Sequence, residues 1–116
     1  MPASTLNLAI EQGATFEQPL TWLVSGGGEP VDLTGYTARM QIRKKYTDTE
    51  PLVSLTDEDG IELGGTDGTI NITISAERTA MLPVKALLYD LELVREDGHV
   101  RRFVMGSISV SAEVTK

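Results

Sequence analysis

Carboxylates are the residues of this chain best placed to do chemistry. Asp57, Glu58 and Asp59 are adjacent, and Asp67 follows shortly after. Loop carboxylates grouped this way could bind calcium, a hard cation that takes oxygen ligands. The spacing lacks the alternate acidic positions, internal glycine and closing glutamate of a calcium-binding loop. Turn formation explains the same residues more simply. Glycine after aspartate supplies positive φ, and the aspartate bonds its own backbone. Glu77 with Asp90 or Glu92 could serve as paired carboxylates for acid–base work, but no spacing brings them together. His99, the single histidine, sits in an Asp-Gly turn. No serine or cysteine nucleophile accompanies it in a recognisable setting. Gly26-Gly27-Gly28 lacks the Lys-Ser or Lys-Thr pair of a phosphate cradle and lies between strands, not before a helix. No catalytic residue, cofactor site or metal ligand is assigned. No cofactor is expected, and the chain is expected not to be an enzyme.

Charge gives one candidate surface. Arg39, Arg43, Lys44 and Lys45 form a basic cluster, and Arg101-Arg102 form a second. Such charge discourages edge pairing between sheets. The first cluster, with Tyr46, is also the candidate contact for an acidic neighbouring subunit. Overall the chain carries 17 acidic against 10 basic residues, a net charge of −7. No basic stripe dominates, so nucleic acid is not an expected partner. The excess of negative charge favours solubility and a positively charged protein partner.

These residues must be held by a small scaffold. A chain of 116 residues suits one domain, 1–116, and can bury a core without staples. There are no cysteines, which excludes disulfides and thiolate zinc sites. No apolar run approaches the roughly 18–20 residues that cross a bilayer, so no membrane partner is expected. Met1-Pro2-Ala3-Ser4-Thr5 lacks the basic start and apolar core of a signal peptide, which leads to an expectation of synthesis and folding in a cytoplasm.

Period-two alternation dominates the chain. Leu6, Leu8 and Ile10 predict a first short strand, broken at Gln12-Gly13. Phe16, Gln18, Leu20, Trp22 and Val24 form one face of a strand at 15–24, with Trp22 a candidate anchor between sheets. Pro19 inside it predicts an edge strand or a bulge. Ser25 to Pro30 reads as a flexible hairpin connection. Asp32, Thr34 and Gly35 form a turn, and Tyr36, Ala38, Met40 and Ile42 alternate with polar residues in a strand at 36–43. A loop at 44–51, short strands at 52–55 and 61–63, and a clean strand at 69–74 follow. Ser75 to Pro83 breaks the period and predicts one or two helical turns, capped by Ser75 and stopped by Pro83. Leu87, Tyr89, Leu91 and Leu93 form the next strand face. Glu96 to His99 is a hairpin signal. Phe103 and Met105 then share a face, Gly106 marks a bulge or bend, and Val114 extends the last strand. The pattern predicts an all-β protein: an immunoglobulin-like antiparallel β-sandwich of about 7–9 short strands with one short helical turn near 75–82. Residues 1–12 are read as an arm or an edge strand.

The order of these motifs resembles small β-domains of tailed-phage virions. Asp32-Leu33-Thr34-Gly35-Tyr36 entering a strand is similar to the N-terminal domain of upper baseplate proteins and to short phage structural proteins. So are Gln12 to Phe16, the segment Thr69 to Pro83, the strand Tyr89 to Leu93 before its hairpin, and the ending Gly106 to Thr115. Upper baseplate proteins carry further domains after this module, so a receptor-binding role is not implied. The resemblance implies a non-enzymatic structural component of a virion, made in the host cytoplasm. It would be an adaptor or decoration subunit in tail, baseplate, neck or capsid surface, in multiple copies, with other virion proteins as partners. The alternative is a carbohydrate- or peptide-binding β-sandwich, which calls for exposed aromatics. Of Phe16, Trp22, Tyr36, Tyr46, Tyr89 and Phe103, only Tyr46 falls outside the predicted strands.

Overall fold

Three isoleucines at every second position show why the chain folds as it does. Ile70, Ile72 and Ile74 are 0–1% exposed, while Thr69, Asn71 and Thr73 point away from the core. A strand patterned in this way must lay its apolar face on another sheet. In the computed structural model that sheet is supplied by Ala38, Met40, Ile42, Leu87, Tyr89, Leu91 and Leu93, all buried. The structure describes residues 3–24 and 28–114.

The strands are β1 (Ser4–Thr5), β2 (Leu8–Glu11), β3 (Phe16–Thr21), β4 (Thr37–Arg43), β5 (Val53–Thr56), β6 (Ile61–Leu63), β7 (Thr69–Ile74), β8 (Ala86–Val94) and β9 (Val100–Ser111). The larger sheet runs β1-β9-β8-β4-β5, with β2 also on β9; the smaller runs β3-β7-β6. One hydrophobic core joins the two sheets. This is an immunoglobulin-like β-sandwich with one short helix. Pairings between the strands are antiparallel except at the N-terminal edge, where β1 and β2 run parallel to β9. Leu8 and Ile10 are buried there.

Local chemistry builds the corners. At the turn after Pro30, the Thr34 amide donates to Asp32 Oδ1 at 2.9 Å and the Tyr36 amide to Leu33 O at 2.9 Å. Gly35 takes φ 83°, open to glycine at little cost. Leu33 is only 2% exposed, which plugs the corner into the core. At the other end, α1 (Ala76–Ala80) begins where Ser75 Oγ accepts from the Arg78 amide. Thr79, fully buried, accepts from the Gly13 amide at 3.1 Å and donates to Ala14 O at 2.8 Å. The helix is thus fastened to the β2–β3 turn.

Several expectations are corrected. Phe103 and Met105 do not share a face. The register passes from Leu91↔Val104 to Glu92↔Arg102, so Phe103 is an extra residue, a bulge that turns it inward beside buried Val104. Gly106 is not that bulge. It lies within β9, opposite Tyr89, where the N-terminal segment passes close by. A Cβ at Gly106 would lie 2.4 Å from Leu6 O. Val114 lies beyond β9 and is almost fully exposed. Trp22 is half-buried at the end of the sandwich. Pro19 sits, as expected, in an edge strand, β3, and its register to β7 is unbroken, so there is no bulge. Ser25, Gly26 and Gly27 of the expected hairpin and of the triglycine lie outside the described residues; on either side, the Val24 amide donates to Glu29 O at 2.7 Å.

Gly106→Val is expected to displace β1 and β2, at a cost of roughly 1–3 kcal/mol for overpacking. Urea unfolding and faster amide exchange at Leu8 and Ile10 check it, and unchanged exchange there would refute the account. The Tyr89 hydroxyl donates to Leu6 O at 2.5 Å, and burial pushes its pKa up to about 12. Its folded pKa is raised, so the neutral phenol's contribution is complete below the ordinary value of 10.0 and is lost as pH rises through about 12. Tyr89→Phe should cost about 0.5–1.5 kcal/mol at neutral pH. It should also weaken the loss of stability in that alkaline window, read from melting curves.

Candidate interaction surface

The outer face of the larger sheet gathers the candidate residues. Alternation turns Arg39, Gln41 and Arg43 of β4 outward while Ala38, Met40 and Ile42 fill the core. On β8 the same period turns Leu88, Asp90 and Glu92 outward. The register sets Arg39 opposite Glu92, Gln41 opposite Asp90 and Arg43 opposite Leu88, while β9 brings Arg102 beside Glu92. Opposite charges therefore meet across three strands.

The arginines find partners within the chain. Arg39 Nε lies 2.6 Å from Glu92 Oε1, and Arg102 Nε 3.4 Å from Asp90 Oδ2. Arg43 donates to Gln41 Oε1 at 2.6 Å and to the carbonyl of Asp48. The Lys45 amide donates to Asp48 Oδ2 at 3.1 Å, so the loop after β4 is closed on itself. Lys44, Lys45 and Tyr46 are exposed, Tyr46 at 74%. Neither lysine enters an ion pair among the described residues. A shallow groove of about 350 Å³ is lined by Gln41, Arg43, Tyr46, Leu88, Asp90 and Glu92.

Of the five candidate residues, the fold brings Arg43 and Tyr46 to one groove. Arg39 lies on the same face, two positions along from Gln41. Lys44 and Lys45 stand on the adjoining loop. Sequence reasoning missed that Asp90 and Glu92 answer the arginines, although the alternation of Tyr89 to Leu93 already turns both outward together. Partial burial and then the neighbouring Glu92 raise the Asp90 pKa, against the pull of Arg102, Arg43 and Arg39.

The other chemical candidates are spread around the molecule. Asp57 Oδ1 accepts from the Ala38 amide at 3.1 Å, and Asp59 pairs with Arg78 at 2.7 Å. Asp67 lies in a 3-10 turn, Gly65–Asp67. Among the described residues no three acidic or histidine side chains are grouped to hold a metal ion. Glu77 sits on α1, away from the sheet face that carries Asp90 and Glu92. His99 is exposed, and its amide donates to Asp97 Oδ1. The second basic cluster splits. Arg102 faces out, whereas Arg101 turns in with its guanidinium 4.8 Å from the Trp22 ring centroid. Tyr36 and Phe103 pack on the same indole, at 6.3 and 5.4 Å between ring centroids. This cluster is an aromatic closure of the sandwich end.

No family model matches the chain, and no curated protein matches it. Among solved structures, it is similar to extracellular domains of the voltage-gated sodium channel beta4 subunit, described as parallel homodimers with a role in cell–cell adhesion. That likeness has a TM-score of 0.46 and 15% identity and covers 98% of this chain and 97% of that one.

The Asp90 carboxyl is expected to titrate at higher pH than those of Asp32 and Asp97, which local hydrogen bonds from Thr34 and from Arg95 hold low. Glu92→Gln should move the Asp90 midpoint down, and Arg102→Gln should move it up. Carboxyl carbon NMR titration reads both, and a midpoint for Asp90 below that of Asp97 would contradict the assigned causes.

Proposed function

We propose that the chain is a non-enzymatic structural component of a tailed-phage virion, acting through protein–protein contacts. It serves as an adaptor or decoration subunit in the tail, baseplate, neck or capsid surface, in multiple copies. The observation that carries this reading is the loop Lys44-Lys45-Tyr46. Two cations without an ion partner among the described residues precede an exposed aromatic ring on a loop that Arg43 and Asp48 hold in place. An exposed tyrosine on a loop already held in place is suited to anchor a protein interface, because little ordering entropy remains to be lost. Arg39 and Arg102 already have carboxylate partners and contribute the rim. The virion assignment itself is supported by the Asp32–Tyr36 turn and by the order of motifs around it.

A second reading is favoured by one feature. The groove beside Tyr46 combines an exposed ring with Gln41, Asp90 and Glu92, a set suited to a carbohydrate.

Mass spectrometry of purified virions should find the chain in the mature particle; its absence would end the structural proposal. Tyr46→Ala with Lys44→Glu and Lys45→Glu should leave the unfolding free energy within about 0.5 kcal/mol of the parent. The same variant should lower incorporation at least about tenfold. Glycan-array binding lost on Tyr46→Ala, with incorporation unchanged, would favour the carbohydrate reading.

A further inference from the structure

Two strand edges run along one side of the sandwich, and among the described residues no strand covers either. β2 pairs only with β9, and β3 only with β7. Between them lies an open groove of about 500 Å³, lined by Leu8, Ala9, Glu11, Phe16, Glu17 and Gln18 among others.

Backbone parity shows what the groove offers. The Leu6 and Gln12 amides donate to Met105 O and Ser111 O on the β9 side. Alternation therefore turns the amides of Ala9 and Glu11 to the open side. On β3, the Trp22 amide donates to Gly68 O, so Leu20, Gln18 and Phe16 face β7. Glu17, Pro19 and Thr21 face the groove side. Proline has no donor, and the Pro19 carbonyl already accepts from Gln18 Nε2 at 3.1 Å, so the middle of this edge offers no free group. The amides and carbonyls of Glu17 and Thr21 have no partner among the described residues and are open to another strand. Immunoglobulin-type sandwiches often carry a four-stranded sheet with a strand at this place, whereas the smaller sheet here has three.

Charge selects the occupant. Glu11 and Glu17 line the groove. Neither enters an ion pair among the described residues. No described lysine or arginine lines the groove. A strand laid along β3 shows every second side chain to one face.

We propose that this groove takes an extended segment of another protein, with lysine or arginine at alternate positions, as an added strand along β3. Main-chain hydrogen bonds supply affinity and the carboxylates supply selection. A second copy of this chain is a poor occupant: it carries −7, and Lys44 and Lys45 sit together in a closed turn, not at alternate positions of an extended segment. The proposal concerns a different surface from the Lys44–Tyr46 loop and stands without the virion reading.

The test is a titration of the isotopically labelled full chain with a decapeptide of alternating lysine and threonine, beside a twin of alternating glutamate and threonine. The lysine peptide should shift the amides of Ala9, Glu11, Glu17 and Thr21 and slow hydrogen exchange at Glu17 and Thr21. Glu11→Lys with Glu17→Lys should weaken it at least about tenfold. Equal binding of the acidic twin, or no binding at millimolar peptide, overturns the proposal. Shifts centred on Asp90 and Glu92, or shifts without protection on β3, overturn it too. So does self-association of the chain through these same amides.

Discussion

Everything in this molecule depends on two apolar faces of period two meeting across one core. Ile70, Ile72 and Ile74 supply one face; Met40, Ile42, Leu87, Leu91 and Leu93 supply the other. A slip of one residue in any central strand would exchange its buried and exposed sets. The same constraint places the charged residues. Arg39, Asp90 and Glu92 meet on the outer face because their neighbours in sequence are committed to the inner one. The charge ladder is a by-product of core register, which is why it is largely self-neutralised.

The closures of the two ends follow different chemistry. One end is shut by aromatic packing around Trp22, with Arg101 over the ring and Leu33 driven in by the Asp32–Gly35 turn. The Phe103 bulge makes that end possible, since it brings Phe103 inward without breaking the β8–β9 ladder beyond it. The other end is shut by hydrogen bonds, with Thr79 of α1 bonded to Gly13 and Ala14. Gln12 adds to it by donating to Leu82 O.

Alternation made most of the strands legible from sequence, and Ser75 with Pro83 marked the helix that interrupts them. The strand ends and faces that escaped prediction share a cause. Phe103 defeats simple alternation because a bulge adds a residue that only the partner strand reveals. Gly106 signals a special backbone position, but not which one; its reason is the Leu6 carbonyl, remote in sequence. The basic cluster was readable as residues, but the division between paired arginines and unpaired lysines depended on the register of β4 against β8. The groove between β2 and β3 left no motif at all. It arises from the N-terminal strand lying on β9 instead of beside β3.

That placement also sets how the molecule carries load. β2 and β9 lie side by side, parallel, with four aligned residue pairs. Tension drawn through the N-terminal end of one and the C-terminal end of the other slides them lengthwise. Every hydrogen bond between them then resists together, and none can open before its neighbours. Peeling an antiparallel hairpin such as β8–β9 from its turn breaks bonds singly. The parallel seam thus acts as a mechanical clamp between the chain's two ends, and buried Leu8 and Ile10 anchor it to the core.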